Sequence, residues 1–370
     1  MAVHEPRIFV TARSTLPGHL PTTTRAAILV ELGKPLVLGT LDLPAELLVG
    51  QVLVRVMFSG ICGSQLGEID GVKGADPYLP HLLGHEATAE VLAIGPGVSR
   101  VAPGMRVILH WRPASGIEAL PPRYLWNSQI VNAGRVTTFN EFAVISENRM
   151  TALPDGAGMR ESALYGCAIT TGFGAVENSA RVRMGDRVVV FGAGGIGLNI
   201  IQACRFSGAA QIVAIDRHES RLSLASACGA TETLATGDDD TVWRRLREIF
   251  GSESPDVFFD NTGNPEVIEC GYSLVGSAGR VVLVGVPKSG NRASLFTLPL
   301  HFGKSIRGTH GGDGKPDEDI PRYARLIGTS GTTLHTLISD EGALDDVNDL
   351  IQKMRSGHSV GRCVIRMTSP

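Results

Sequence analysis

Apolar and polar positions along this chain fall into two regimes. Across residues 25–101 short apolar runs are cut by turn residues, among them Gly33-Lys34-Pro35, Gly50 and Gly95-Pro96-Gly97. Val52, Val54 and Val56 alternate with Leu53, Arg55 and Met57, the two-residue period of a strand. That run breaks at Ser59-Gly60-Ile61-Cys62-Gly63-Ser64, and His81-Leu82-Leu83-Gly84-His85-Glu86 leads straight into another strand. Further strands are predicted over 104–108, ending in His110-Trp111-Arg112, and over 142–145. Residues 113–138 show little periodicity and read as an ordered loop, with Tyr124, Trp126 and Ile130 to bury. The sum is a compact, largely antiparallel β domain.

After Pro154 the pattern changes. A helical segment carries Cys167 and then Thr170-Thr171-Gly172-Phe173-Gly174-Ala175. Strand and helix then alternate, as they do in a doubly wound parallel sheet. Strands are predicted over 188–191, 211–215, 232–234, 257–260 and 280–284, with the clearest helix over 241–250. Residues 294–298, stopped by Pro299, read as an edge strand open to dimerisation. From Ser305 mixed strands return, with a helix over 344–354 and a strand over 363–367, so the tail is expected to rejoin the first domain. The expected division is an extension over 1–24, a β domain over 25–168 and 304–370, and a doubly wound domain over 169–303.

One stretch organises the second domain. Residues 187–216 give an apolar strand, Gly192, Gly194 and Gly197 in G-x-G-x-x-G spacing, a helix over 195–206, and a second apolar strand ending in Asp216. Gly192 permits the tight turn, Gly194 lets a pyrophosphate approach the backbone, and Gly197 lets the helix pack on the strand. The free N–H groups at the helix start, beside Gly195 and Ile196, favour phosphate. Asp216 would accept both adenine-ribose hydroxyls and repel a 2′-phosphate, which favours NAD over NADP; Arg217 is the residue that argues the other way. Together these elements predict a dinucleotide site.

Composition narrows the classes. The chain of 370 residues is 43% apolar with a net charge of −3, so no basic excess points to nucleic acid. No apolar run approaches membrane-spanning length, and the opening MAVHEPRIFVTARSTLPGHLPTTT has no secretory apolar core. It reads as a loose extension or a surface arm. The six cysteines are scattered without a C-x-x-C pair, which points to a reducing, cytoplasmic setting. Cys204, Cys228 and Cys270 sit in apolar or helical contexts and read as small buried thiols, whereas Cys62 and Cys167 stand apart.

Cys62, His85 and Cys167 are too far apart for spacing to define a site. Singly they read as a turn cysteine, a core histidine and a helix-packing cysteine. As a set, two thiolates and one imidazole suit Zn²⁺ and leave a fourth position open.

Six motifs occur in one order: Gly60-Ile61-Cys62-Gly63-Ser64, Gly84-His85-Glu86, Gly166-Cys167 with Thr170-Thr171-Gly172, the glycine-rich turn, Asp260-Asn261-Thr262-Gly263, and Val284-Gly285-Val286-Pro287. With them the chain resembles the zinc-dependent alcohol dehydrogenases of the medium-chain dehydrogenase/reductase superfamily, from about residue 25 onward. The resemblance implies a GroES-like, mainly β catalytic domain split around a Rossmann domain, with the active site between them. It implies catalytic zinc on Cys62, His85 and Cys167, with Glu86 as the acid that approaches the metal during ligand exchange. Ser64 matches the hydroxyl that bonds the substrate oxygen and takes its proton. Thr171, Thr262, Val284, Val286 and Arg221 match positions along the cofactor, and Arg362 matches a pyrophosphate-binding arginine. The implied reaction moves a hydride between an alcohol and NAD; the edge strand over 294–298 adds the expectation of a homodimer or homotetramer.

The pattern also departs from the family. Residues 113–140 contain no cysteine, which excludes a Cys₄ structural zinc, and Trp126 with apolar neighbours is expected to hold that loop. Gln65 stands where an acid often supports the zinc-ligand histidine, and Gly67 where some relatives place a relay histidine. Trp111, flanked by His110 and Arg112, falls at a substrate-pocket position; it either selects a polar, anionic or polyhydroxylated substrate or only narrows the pocket. Two rival readings remain: an NADP(H)-dependent aldehyde or ketone reductase, and a non-catalytic dinucleotide-binding protein.

Overall fold

The computed structural model describes residues 13–15, 20–72, 74–237, 240–330 and 334–367. Two sheet systems organise them. The first is β-rich. Gln51–Ile61 runs through the centre of a seven-stranded sheet, between Glu86–Ile94 on one side and Phe142–Ser146 and Arg362–Arg366 on the other. Thr23–Leu29, Val37–Asp42, His81–Leu82, Arg123–Trp126 and Gln129–Asn132 close into a small barrel beside it. The alternation along Gln51–Ile61 does not separate core from solvent, because both faces are covered. Val52, Val54 and Val56 pack into one apolar cluster while Leu53 packs into another, and all four are fully buried.

The segment expected to be a loop contains a hairpin, Arg123–Trp126 with Gln129–Asn132. Tyr124 is fully buried and its hydroxyl accepts the Val144 N–H at 2.9 Å, whereas Ile130 is 46% exposed. Trp126 covers Gly39, where a Cβ would meet the indole at 2.8 Å. Polar ties do the rest. The buried Glu147 carboxylate accepts N–H groups of Ser99 at 2.7 Å, Arg100 at 2.9 Å and Ile117 at 2.8 Å, and Ser146 Oγ accepts that of Ala119 at 2.8 Å. Each bond to the carboxylate contributes about 1.5–3 kcal/mol. They fix this lobe without any sulfur ligand.

The second system is a six-stranded, all-parallel sheet in the order Glu232–Ala235, Gln211–Asp216, Arg187–Phe191, Val257–Asp260, Arg280–Leu283, Ser305–Gly308. Numbered along the chain this is 3-2-1-4-5-6, the doubly wound order whose switch point lies between the first and fourth strands. The sheet runs past the boundary expected at 303, since Ser305–Gly308 is its sixth strand. The edge strand expected over 294–298 is not formed. Ser294–Thr297 has no regular structure and leads into a 3₁₀ turn, Leu298–Phe302. Pro299 near the start of that turn suits the tighter helix and not a strand.

The tail returns to the first system. Arg362–Arg366 pairs antiparallel with Gln51–Ile61 and parallel with Ile338–Ala343. Most of the expected 1–24 extension lies outside the described residues; within it, Arg13–Thr15 pairs with Glu46–Leu48, and Thr23 already belongs to the barrel. Among the described residues no helix is long and apolar enough to cross a membrane.

Candidate metal centre and dinucleotide cleft

Three different backbone devices deliver the three candidate ligands. Cys62 ends the strand Gln51–Ile61 in extended conformation and opens the helix Gly63–Ile69, its N–H held at 2.9 Å by Gln65 Oε1. His85 follows Gly84, whose φ of +91 turns the chain into Glu86–Ile94 and whose missing Cβ leaves room for Phe139. Cys167 opens the helix Ala168–Gly174 directly after Gly166, where a Cβ would lie 2.7 Å from the Glu86 Cα. Glycine at 166 therefore lets this helix start press against the strand that carries His85.

The result is a closed group. Cys62 Sγ and Cys167 Sγ are 3.9 Å apart, and the ligand atoms of Cys62, His85 and Cys167 all lie within 4.8 Å of one another. Two sulfurs about 2.3 Å from a tetrahedral Zn²⁺ stand about 3.8 Å apart, so the spacing fits the ion. Charge supports the same assignment. The hydrogen bond from Cys167 holds the Cys62 thiol well below its ordinary range, against burial, and the same contact with burial pushes Cys167 well up. Burial lowers the His85 pKa, but the hydrogen bond and charge of Cys62 raise it above its usual value. A dication entering here displaces those protons.

Glu86 lies behind the group, fully buried, with Oε2 accepting the Ala168 N–H at 3.1 Å. Its Oε1 has no hydrogen-bond partner among the described residues and stands 3.5 Å from Arg362 Nη1. Burial raises the Glu86 pKa, and the Arg362 charge opposes it. Burial works against the Arg362 guanidinium too, but Glu86, Cys62 and Cys167 together hold it above its ordinary range. Arg362 Nη1 donates to the Ile61 carbonyl at 3.2 Å, while Nε and Nη2 are without partners among the described residues.

Those free donors face the dinucleotide cradle. A Cβ on Gly195 would collide with the Arg362 side chain, a Cβ on Gly194 would meet nothing within 4 Å, and a Cβ on Gly197 would overlap the Gly192 carbonyl. Gly192 itself has φ +94. An open approach at Gly194, unpartnered guanidinium donors and a helix start without a side-chain cap are what a pyrophosphate needs. Asp216 ends its strand with Oδ2 on the Ala193 N–H at 2.9 Å and Oδ1 on the His218 N–H at 3.0 Å, and Arg221 stands 3.8 Å away. Asp260 similarly holds the Thr262 and Gly263 N–H groups, each at 2.9 Å, shaping the opposite wall.

A cleft of about 840 Å³ joins the two halves. Cys62, Ser64, the glycine turn with Ile196, Asp216, Arg217, Arg221, Thr262, Val284, Val286 and Arg362 all line it. Thr171 does not; it is buried beside Cys167, Oγ1 3.9 Å from the sulfur. Sequence reasoning missed Leu66, Val72, Thr236, Met354 and Ser359, which also line the cleft. The helix Gly63–Ile69, read from sequence only as a break in the strand, brings in the first of these.

The expected pocket trio is corrected. His110 is fully buried, with Nδ1 2.8 Å from the Arg112 carbonyl and Nε2 3.0 Å from Thr151 Oγ1, and does not reach the cleft. The Arg112 guanidinium is committed to the carbonyls of His310 and Gly314, and Trp111 packs edge-on against His310 at 4.8 Å; neither is on the cleft wall. Arg112 is thus a brace between the strand Arg106–His110 and the 310–314 turn.

Similarity to known proteins agrees with this geometry. Residues 49–155 match the family described as alcohol dehydrogenase GroES-like domain, and residues 195–329 match that described as zinc-binding dehydrogenase. Alcohol dehydrogenase 6 of Peromyscus maniculatus is 31% identical over 366 residues, covering 92% of this chain and 97% of that protein. An alcohol dehydrogenase zinc-binding domain protein from Burkholderia ambifaria superposes with a TM-score of 0.85 at 29% identity, over 94% of this chain and 99% of that one. Benzyl alcohol dehydrogenase from Acinetobacter calcoaceticus gives a TM-score of 0.83 at 26% identity, with the same coverage.

The burial of His110 has a measurable consequence. Burial lowers its pKa from 6.5 to about 4, against the hydrogen bond to the Arg112 carbonyl. The unfolded chain therefore binds this proton more readily, and stability is lost as pH falls from about 6.5 toward about 4. The loss attributable to His110 is about 3 kcal/mol. Urea unfolding of wild type and His110→Gln across that window reads it: wild type should lose stability more steeply, and parallel curves would contradict the assignment.

Proposed function

The chain belongs to the zinc-containing alcohol dehydrogenase family, and from that premise we propose that it moves a hydride between a small alcohol and NAD. The carrying observation is the convergence of Cys62, His85 and Cys167 within 4.8 Å of one another, with Cys62 on the wall of a cleft that the glycine turn also lines. Those three residues would hold one zinc ion, with Glu86 as the acid behind it. When bound, the ion supplies Lewis acidity that polarises the substrate's oxygen. The nicotinamide supplies the hydride acceptor.

The chain's own residues do the remaining work. Ser64, exposed on the cleft wall at the start of the helix Gly63–Ile69, accepts the substrate's hydroxyl proton and passes it outward. No imidazole follows it at Gly67, so the proton leaves through water or the cofactor ribose. Gln65 fixes the Cys62 backbone and adds no charge. Arg362 offsets the sulfur and carboxylate charges and turns its free donors toward the pyrophosphate. Asp216 is held by two backbone N–H groups, ready to accept ribose hydroxyls and to repel a 2′-phosphate. Thr262, Val284 and Val286 bound the nicotinamide end, with Thr171 behind Cys167. Leu66, Val72 and Val286 add apolar wall to the cleft, which favours an uncharged alcohol.

Arg217 supports a second reading. It is exposed on the cleft wall next to Asp216, where it could pair with a 2′-phosphate and make the chain an NADP(H)-dependent carbonyl reductase. Initial rates on a panel of alcohols and aldehydes with each cofactor separate the two. NAD should be preferred, Asp216→Ala should erode that preference by about tenfold or more, and chelation should abolish turnover. Equal or better rates with NADP would replace this reading with the second.

The chain would also assemble with copies of itself. Phe296 and Phe302 are 71% and 73% exposed, and the parallel sheet ends on the strand Ser305–Gly308, whose outer edge has no partner strand among the described residues. Sedimentation should show a dimer or tetramer, and Phe296→Asp with Phe302→Asp should shift it to smaller species. A wild-type monomer would contradict this.

A further inference from the structure

A second ligand set lies between the helix Gly63–Ile69 and the strand His81–Leu82. Glu68, Asp76 and His81 each offer one ligand atom, all within 4.8 Å of one another. They share no residue with the thiolate centre. His81 is 7% exposed, and its ring contacts are telling. Nδ1 is 3.0 Å from the Leu82 carbonyl oxygen and Nε2 is 2.9 Å from Asp76 Oδ2. A carbonyl oxygen only accepts, so Nδ1 carries the hydrogen and Nε2 of the neutral ring is a lone pair. That lone pair faces a carboxylate lone pair, and only a positive centre stabilises such an arrangement: a proton or a metal ion.

The surroundings suit an ion. An Nδ1–H held by a backbone carbonyl is how a metal-ligating histidine is oriented for binding through Nε2. Asp76 is preset as well, since its Oδ1 accepts the Tyr78 N–H at 2.8 Å. A nitrogen and an oxygen each about 2.1 Å from one ion, at about 90° to one another, stand about 3 Å apart. The observed 2.9 Å matches that edge, as it matches the hydrogen bond of a protonated ring. Glu68 is exposed on the helix one residue past the cleft-lining Gly67, free to swing in as a third ligand.

We propose that Glu68, Asp76 and His81 form a divalent-cation site separate from the catalytic centre. One imidazole and two carboxylates suit a first-row ion such as Mn²⁺ or Zn²⁺, with water completing the coordination. Its place gives it a role. It ties the helix carrying Ser64 and Leu66 to the strand that leads to His85, and the intervening Val72 carbonyl accepts the Ser289 N–H of the other domain at 3.4 Å. A bound ion would brace the mouth of the cleft.

Mn²⁺ is the suitable probe, because it prefers nitrogen and oxygen ligands and leaves the thiolate centre to zinc. Electron paramagnetic resonance titration of the zinc-loaded chain should show one Mn²⁺ taken up per chain. Asp76→Asn and His81→Gln should abolish that uptake, and Glu68→Gln, an exposed change that leaves the fold intact, should weaken it at least tenfold. No uptake at millimolar Mn²⁺ would mean that a proton alone joins His81 to Asp76, and the proposal would fall. Uptake indifferent to all three substitutions would equally overturn it.

Discussion

Charge balance in a dry space is the constraint on which the centre of this structure depends. Two thiols, a carboxylate and a guanidinium are buried together beside a half-buried imidazole, Cys62 and Cys167 at 4% and 5% exposure and Glu86 at 0%. Two thiolates and a carboxylate could not share such a volume without compensation, since each unpaired buried charge costs several kcal/mol. Arg362 provides one positive charge, from 3.5 Å away from Glu86. A dication on the two sulfurs and the imidazole would provide the rest. Without it the same residues must hold protons, which is the meaning of the opposed pKa shifts of Cys62 and Cys167.

Arg362 is also where the two sheet systems meet. It opens the last strand, is anchored on the Ile61 carbonyl next to Cys62, and lies against Gly195 at the start of the helix Gly195–Phe206. One side chain thus pairs with Glu86 beside the three candidate ligands and brings unpartnered donors to the glycine turn. Chain topology allows this because the tail returns to pair with Gln51–Ile61. The parallel sheet contributes its switch point, between Phe191 and Asp260, facing that junction.

What can be read in the sequence follows from how local each signal is. The strand, glycine turn, helix and Asp216 are contiguous, so their geometry is legible in the order of residues alone, down to the helix Gly195–Phe206. The candidate ligands Cys62, His85 and Cys167 are not contiguous, and in the sequence only resemblance joins them. The misreadings have the same origin. His110 sits two residues from Arg112 in sequence, but the neighbours that decide its role are Thr151 and a buried strand interface. Residues 294–298 carry a strand-like composition, yet strand pairing needs a partner edge, and Ser305–Gly308 takes it. Glu147 gives no local sign of holding the cysteine-free lobe, because its three backbone partners are spread over residues 99–117.

The most direct test of the shared-ion claim is the zinc K-edge X-ray absorption spectrum of the chain dialysed to one ion per molecule. Convergence of Cys62, His85 and Cys167 predicts two sulfur neighbours at about 2.3 Å and nitrogen or oxygen neighbours at about 2.0–2.1 Å. A first shell without sulfur, or one of four sulfurs, would contradict the account at its centre.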